Sequence, residues 1–361
     1  MSFTTDPPEK RAKRGSRWNQ VWSRGVALLA VVAAASVVAA KNYDGQDPER
    51  TFLNVSYDPT RELYRDLNRV FAVEYAESTG KKVEIAQSHG GSSRQSRAVM
   101  GGLPADVVTL ALHSDVDALR KHGLIAEGWE RRLPNDSRPY TSTIVFVVRK
   151  GNPRQIHDWK DLVLPGVAVV TPDPRTSGNG KLAFLAAWGS ILRGGGSEVQ
   201  ARAFVAELYR HTGDLAPGAR AAATAFVEEK IGDVHLTWEN EAQREVEEDK
   251  GELETVYPSS SILAEPYVAW VDANVARKGT GAEAKAYLEF LFTPQAQAII
   301  ADHGYRAIDA AALAAHADRF PRLDLFPVTL VARDWDDAAE KFFGEHGIIN
   351  LLFEHPGLRG G

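Results

Sequence analysis

The sequence predicts an α/β protein built from two domains, and three observations carry that prediction. Its 361 residues are enough for two domains of ordinary size. Short apolar or β-branched runs alternate with helix-patterned stretches, the strand, loop, helix, strand order of a parallel α/β sheet. Four helix starts also carry glycine-rich or capped turns, which aim backbone N–H groups at one spot and attract anions. Hydrophobic residues at 44% with 25% charged residues describe a globular body, neither disordered nor multi-span.

The first forty residues stand outside that body. Lys10, Arg11, Lys13, Arg14, Arg17 and Arg24 form a basic head, and residues 25–40 are an unbroken small and apolar run. Such a run is shorter than the roughly 20 residues of a comfortable span. With Val38 and Ala40 ahead of Lys41, residues 1–40 read as a secretory signal peptide, the alternative being an uncleaved N-terminal anchor. Residues 41–50 read as a linker. The chain has no Cys, so neither a disulfide nor a lipid-modified Cys is available. Without residues 1–40 the remainder carries 36 basic and 46 acidic side chains. A body this acidic excludes nucleic acid as a partner, because nucleic-acid binding is mostly basic neutralisation of phosphate.

Taken in order, residues 52–56 predict a strand. Asp58 as N-cap and Pro59 at the first helical position then open a helix to residue 76, with Leu63, Leu67, Val70 and Phe71 on its apolar face. A second strand over 82–86 leads into Ser88-His89-Gly90-Gly91-Ser92-Ser93 and a helix, and 105–112 predicts a third strand. Residues 141–149 form a β-branched segment ended by Gly151-Asn152-Pro153. A second α/β unit begins at Trp159, with a strand over 167–171. Thr176-Ser177-Gly178-Asn179-Gly180 then precedes a helix over 182–192, and another helix covers 202–209. Pro217-Gly218-Ala219-Arg220 introduces a helix over 221–230. Residues 234–238 predict a strand ending at the Trp238 indole, and 253–258 one more. Residues 267–271 predict the strand that returns the chain to the first domain. Helices over 282–292 and 294–302 follow, with helical pattern to the C-terminus.

The runs Asn54 to Tyr64, Gln87 to Ser92, Ala105 to Leu112, Pro139 to Phe146, Trp238-Glu-Asn-Glu-Ala242 and Ile262-Leu-Ala-Glu-Pro266 carry a family resemblance. So do Arg149-Lys-Gly-Asn-Pro153, Leu185-Ala-Ala-Trp-Gly189 and Phe226-Val-Glu. Over roughly residues 52–345 the chain resembles the sulfate-binding proteins of bacterial sulfate and thiosulfate ABC importers. The resemblance implies a two-lobed periplasmic binding protein fold (type II) with the ligand in the inter-lobe cleft. Lobe one is expected over 51–140 plus 265–361, and lobe two over 141–264. The implied ligand is sulfate or thiosulfate, bound by backbone N–H groups of Asp58, Ser92, Gly178, Asn179 and Ala219, with the Ser177 hydroxyl and the Trp238 indole N–H. His89 and Arg220 stand beside these as supporting candidates. The implied protein is a periplasmic monomer that serves the permease of an ABC transporter, with no cofactor, no metal and no catalysis. Asn179 and Ser93 depart from the pattern, since Gly is usual at both positions.

Other readings have less support. A P-loop needs Gly at 175 and Ser or Thr at 182, where this chain has Arg175 and Leu182. There is no G-x-S-x-G elbow, no His pair at three- or four-residue spacing and no Cys, so neither a hydrolase of sulfate or phosphate esters nor a zinc site is motivated. Two alternatives remain open: a binding protein for another tetrahedral oxyanion, phosphate or molybdate, and a membrane-tethered anion sensor.

Overall fold

Buried apolar strands set the first layer. In the computed structural model, which describes residues 51–354, β1 (Phe52–Tyr57) lies between β2 (Ile85–Gly90) and β3 (Val107–Leu110), parallel to both. Every residue of β1 is buried, as expected for a parallel strand covered on both faces. Helix α1 (Arg61–Thr79) buries Leu63, Tyr64, Leu67, Phe71 and Tyr75 at helical spacing, and stops at Gly80 in the left-handed region. Helices α2 (Ser92–Met100) and α3 (His113–Lys121) follow β2 and β3.

The expected strand over 82–86 lies further along the chain. β2 runs through Ser88 and His89 to Gly90, because its register with β1 continues to the pair Tyr57–Gly90. The glycine-rich stretch is therefore half strand, and the turn is confined to Gly91.

The segment over 141–149 divides into β4 (Tyr140–Thr141) and β5 (Ile144–Arg149), with an isolated bridge from Ser142 to Ala264 between them. β5 opens a second sheet of order β6 (Val169–Val170), β7 (Val234–Trp238), β5, β8 (Leu253–Val256). Only β6 and β7 are parallel in it; β5 is antiparallel to both its neighbours. The second α/β unit expected from Trp159 keeps a parallel pair, β6 with β7, beside which β5 runs antiparallel. Ile144, where β5 starts, pairs with Trp238, where β7 ends, so the strand that brings the chain in runs against the strand that carries it back.

Helix α4 (Gly178–Arg193) is buried from Gly178 to Gly189, so it needs cover on more than one side. The sheet covers one side. After α5 (Glu198–Arg210), α6 (Ala219–Ala223) and α7 (Glu239–Glu248), the strand β9 (Ser260–Ile262) and then β10 (Tyr267–Trp270) lead out of the second layer. β10 joins the first sheet antiparallel to β3. Helices α8 (Asp272–Lys278), α9 (Gly281–Phe290) and α10 (Pro294–Asp302) fill the first core, where Phe71 meets Tyr287 edge-on at 5.1 Å. β11 (Arg306–Ala307) pairs with β4, and β12 (Asp324–Phe326), after α11 (Ala310–Ala315), pairs with β9.

The last described helices, α12 (Trp335–Phe343) and α13 (Ile348–Glu354), differ from expectation. The sequence reading places them in lobe one, yet Phe342 packs edge-on against Trp188 at 5.0 Å and against Phe184 at 5.7 Å. They supply the second cover that α4 requires. No helix among the described residues is long and apolar enough to cross a membrane. The expected signal and linker lie outside the described residues.

Because Phe342 joins α12 to the second core, Phe342→Ala is expected to cost about 3–4 kcal/mol of stability. Urea unfolding measures this; a loss under about 1 kcal/mol would separate α12 from that core.

Candidate functional site

Three turns meet beyond the ends of β1, β2 and β7, closer than side chains permit. A Cβ on Gly91 would lie 2.4 Å from the Thr176 carbonyl oxygen and 3.2 Å from that of Pro217. One on Gly178 would lie 2.5 Å from the Ala111 Cβ and 3.2 Å from the Ser92 Cβ. Only hydrogen at these two positions lets the 91–92, 176–178 and 217–218 segments share one place. The Thr176 hydroxyl also donates to the Pro217 carbonyl at 3.0 Å, tying two of the turns together.

Each turn starts a helix whose first N–H groups have no acceptor within that helix. Ser92 opens α2, Gly178 opens α4, and Ala219 opens α6, which continues into a π-helical turn over Thr224–Glu228. Ser177 caps α4 by accepting the Gly180 N–H at 3.4 Å, which leaves its own hydroxyl proton free to donate elsewhere. Ser92, Ser177, Asn179, Ala219 and Trp238 are all buried. Trp238 lies at the end of β7 with its ring 5.3 Å from that of Tyr57, and its indole N–H has no hydrogen-bond partner. An indole N–H can only donate, and burying it unpaired costs about 1–3 kcal/mol. The arrangement is therefore a set of donors with few acceptors, complementary to an anion that carries no proton.

Asp58 corrects the sequence reading. The N-cap is Tyr57, extended at φ −92° and ψ 159°, and Asp58 is the first residue of a short 3₁₀ turn with no side-chain cap. Its carboxylate reaches the opposite turn, where a Cβ on Gly218 would lie 2.3 Å from Asp58 Oδ2. Burial pushes its pKa above the usual carboxylate value, against the pull of Arg61, Arg220 and Arg94. The Arg220 guanidinium is not free either, since it donates to Glu62 at 2.7 Å. Burial works to raise the Glu62 pKa, and the charges of Arg220 and Arg244 outweigh it and lower the pKa.

His89 supports the site from β2. Its Nδ1 lies 3.2 Å from the Tyr57 carbonyl and its Nε2 is 2.7 Å from the Gln87 side-chain amide. Burial lowers its pKa to about 4, so at neutral pH the ring is uncharged and has one N–H for the two oxygens it faces.

Asn179 uses its side chain locally. Its Nδ2 donates to the Leu236 carbonyl at 3.0 Å, two residues before Trp238. β6 pairs with β7 only as far as His235, so the amide takes up a carbonyl beyond that register. The amide oxygen of Asn179 is buried without a donor.

Sequence reasoning missed Asp115. It accepts the hydroxyls of Ser92 at 2.6 Å and Ser93 at 2.8 Å, and the Lys181 ammonium at 3.2 Å. The Ser92 hydroxyl is thereby committed to the scaffold, and also receives the Ala111 N–H at 3.1 Å. Lys181 drew notice only as a failed P-loop lysine, and Asp115 carries no local signal.

His113, Asp117 and Glu130 place three potential metal-ligand atoms within 4.8 Å of one another. The two oxygens of Asp117 instead accept Arg120 and Lys121, the latter at 3.0 Å, and its pKa falls to about 2. Two cations already hold the carboxylate that a metal would need.

Comparison with known proteins places this geometry. The model of a family described as bacterial extracellular solute-binding protein matches residues 54–306. The chain is 47% identical over 330 residues to the sulfate-binding protein of Escherichia coli (strain K12), covering 91% of this chain and 98% of that one. It is 45% identical over 303 residues to the thiosulfate-binding protein of Pseudomonas aeruginosa, covering 83% and 91%. The solved structure of the sulfate-binding protein SubI from Mycobacterium tuberculosis H37Rv superposes with a TM-score of 0.73 at 31% identity, covering 81% of this chain and 99% of that one.

His89 gives the site a pH signature. Its pKa in the folded chain, about 4, lies below the ordinary value of 6.5. The unfolded chain therefore binds the proton first, and the neutral ring's contribution to stability is complete above pH 6.5 and lost as pH falls toward 4. The native chain should lose about 2 kcal/mol across that window, and His89→Gln should lose less. Melting temperatures at half-unit pH steps test this; parallel curves for the two proteins would refute it.

Proposed function

The chain belongs to the bacterial extracellular solute-binding proteins, and from that premise we propose that it captures sulfate or thiosulfate outside the cytoplasm and hands it to the permease of an ABC transporter. It acts as a monomer and performs no chemistry on its cargo. The anion is held by the backbone N–H groups of Asp58, Ser92, Gly178, Asn179 and Ala219, by the Ser177 hydroxyl and by the Trp238 indole. His89 and Arg220 hold the surrounding turns. The observation that carries this reading is the fully buried Trp238 indole N–H with no acceptor, beside three helix starts brought within van der Waals contact.

Lobe one comprises about residues 51–140 and 265–320, and lobe two about 141–264 with the C-terminal segment from β12 onward. An anion that bridges donors from both lobes favours the closed form over the open one by the difference in its affinity for the two. A signal or anchor over residues 1–40 supplies export.

Selectivity follows from protons. Sulfate at neutral pH is a dianion with none, so a donor pocket satisfies it. A phosphate that retains a proton sets an O–H against donors, a mismatch of about 1–3 kcal/mol, or roughly ten- to a hundredfold in affinity. The Asp58 carboxyl and the unpaired Asn179 amide oxygen are the two acceptors that favour the second reading, a pocket for phosphate or another protonated oxyanion.

Calorimetric titration of the purified, anion-stripped chain with sulfate, thiosulfate and phosphate at matched ionic strength tests the proposal. The expected result is 1:1 sulfate binding, with phosphate weaker by about ten- to a hundredfold and sulfate weakened at least about thirtyfold in Ser177→Ala with Trp238→Phe. Tight phosphate binding with no response to sulfate would replace the first reading by the second.

A further inference from the structure

The geometry points to a role for the Asp58 side chain distinct from its backbone N–H: the carboxylate is an internal strut that crosses the cleft and fixes the distance between the 58–62 and 217–220 turns. This inference rests on the proposed anion site, because the strut acts by holding that site's two halves in register. Asp58 is then a positioning residue for anion capture.

Four observations carry it. First, the carboxylate ignores its own turn, which has no side-chain cap, and lies against the 217–220 turn, 160 positions along the chain. Second, the approach is close: a Cβ on Gly218 would lie 2.3 Å from Asp58 Oδ2. Gly218 itself is extended at φ −168° and ψ 173°, a conformation open to any residue, so this glycine is needed for space and not for its backbone. Third, the next nearest atom outside Asp58 is the Gly91 nitrogen at 3.7 Å, ordinary contact distance, so Asp58 alone sets the restriction. Fourth, the same two turns are joined a second time by Glu62 and Arg220 at 2.7 Å. An ion pair and a close carboxylate contact from neighbouring residues thus span one gap.

A double-mutant cycle tests the strut. Asp58→Ala and Gly218→Ala each keep every backbone N–H, and each should weaken sulfate binding about tenfold with faster release, the first by deleting the carboxylate and the second by displacing it. In the Asp58→Ala background, Gly218→Ala should have no further effect, because the added methyl then meets only ordinary contacts. Asp58→Asn, which keeps the shape of the side chain, should recover most of the loss seen in Asp58→Ala. Stopped-flow release of sulfate and melting temperatures of the ligand-free proteins are read in parallel. Equal effects of Gly218→Ala in both backgrounds, in release rate and in melting temperature, would overturn the strut. Coupling in melting temperature in a chain that binds no sulfate would leave the strut standing and remove the sulfate reading.

Discussion

A buried N–H without an acceptor is among the costlier arrangements a folded chain can keep, and the Trp238 indole is one. The first turns of α2, α4 and α6 carry donors that their own helices cannot use. Gly91 and Gly178 allow those turns to touch, and Trp238 adds a donor-only group that is wholly enclosed. In the proposed site an unprotonated anion would relieve that penalty. The two sheets, the crossing segments and the helices behind them serve to keep these ends at contact distance.

Nearby full charges do not substitute for the donors. Three cations near the site are committed: Lys181 to Asp115, Arg220 to Glu62, Arg175 to Asp173. With the body carrying more acidic than basic side chains, the long-range field opposes an anion. Short-range dipoles prevail because they act at about 3 Å within a water-poor cleft, whereas exposed charges are screened over about 8–10 Å. A pocket of this kind discriminates by proton count and shape more than by charge, which a lysine-lined pocket would not do.

Local chemistry was legible in the sequence, and long-range chemistry was not. β7 occupies the residues its β-branched pattern marks, and the starts of α2, α4 and α6 fall at or within two residues of their glycine-rich turns. Caps and turns depend on a few consecutive residues, so their signal survives without tertiary context. Asp58 was misread because its carboxylate lies against the 217–220 turn rather than capping its own helix. β2 was placed too early because register with β1 carries a strand across residues that local propensity reads as a turn. The antiparallel entry of β5 and the docking of α12 on α4 depend on which end of a layer the chain enters and which face needs cover. Neither quantity exists at the level of a sequence window. Asp115, which holds two serines and a lysine, was invisible for the same reason.

The two positions where Gly is usual show why a backbone site tolerates sequence change. Ser93 turns its hydroxyl toward Asp115, and Asn179 turns its amide nitrogen toward the Leu236 carbonyl. Both side chains are absorbed by the scaffold, and neither removes an N–H from the proposed donor set. The Asn179 amide also joins the first turn of α4 to β7 two residues before Trp238, so a substitution in the pocket wall links two donor groups that a glycine would leave independent. Recognition by peptide N–H groups fixes the path of the chain and leaves side chains free to vary, provided each finds a partner behind the wall. The Asn179 amide oxygen is buried with no donor, so that condition is unmet there. In the proposed site it is an acceptor that a glycine would not supply.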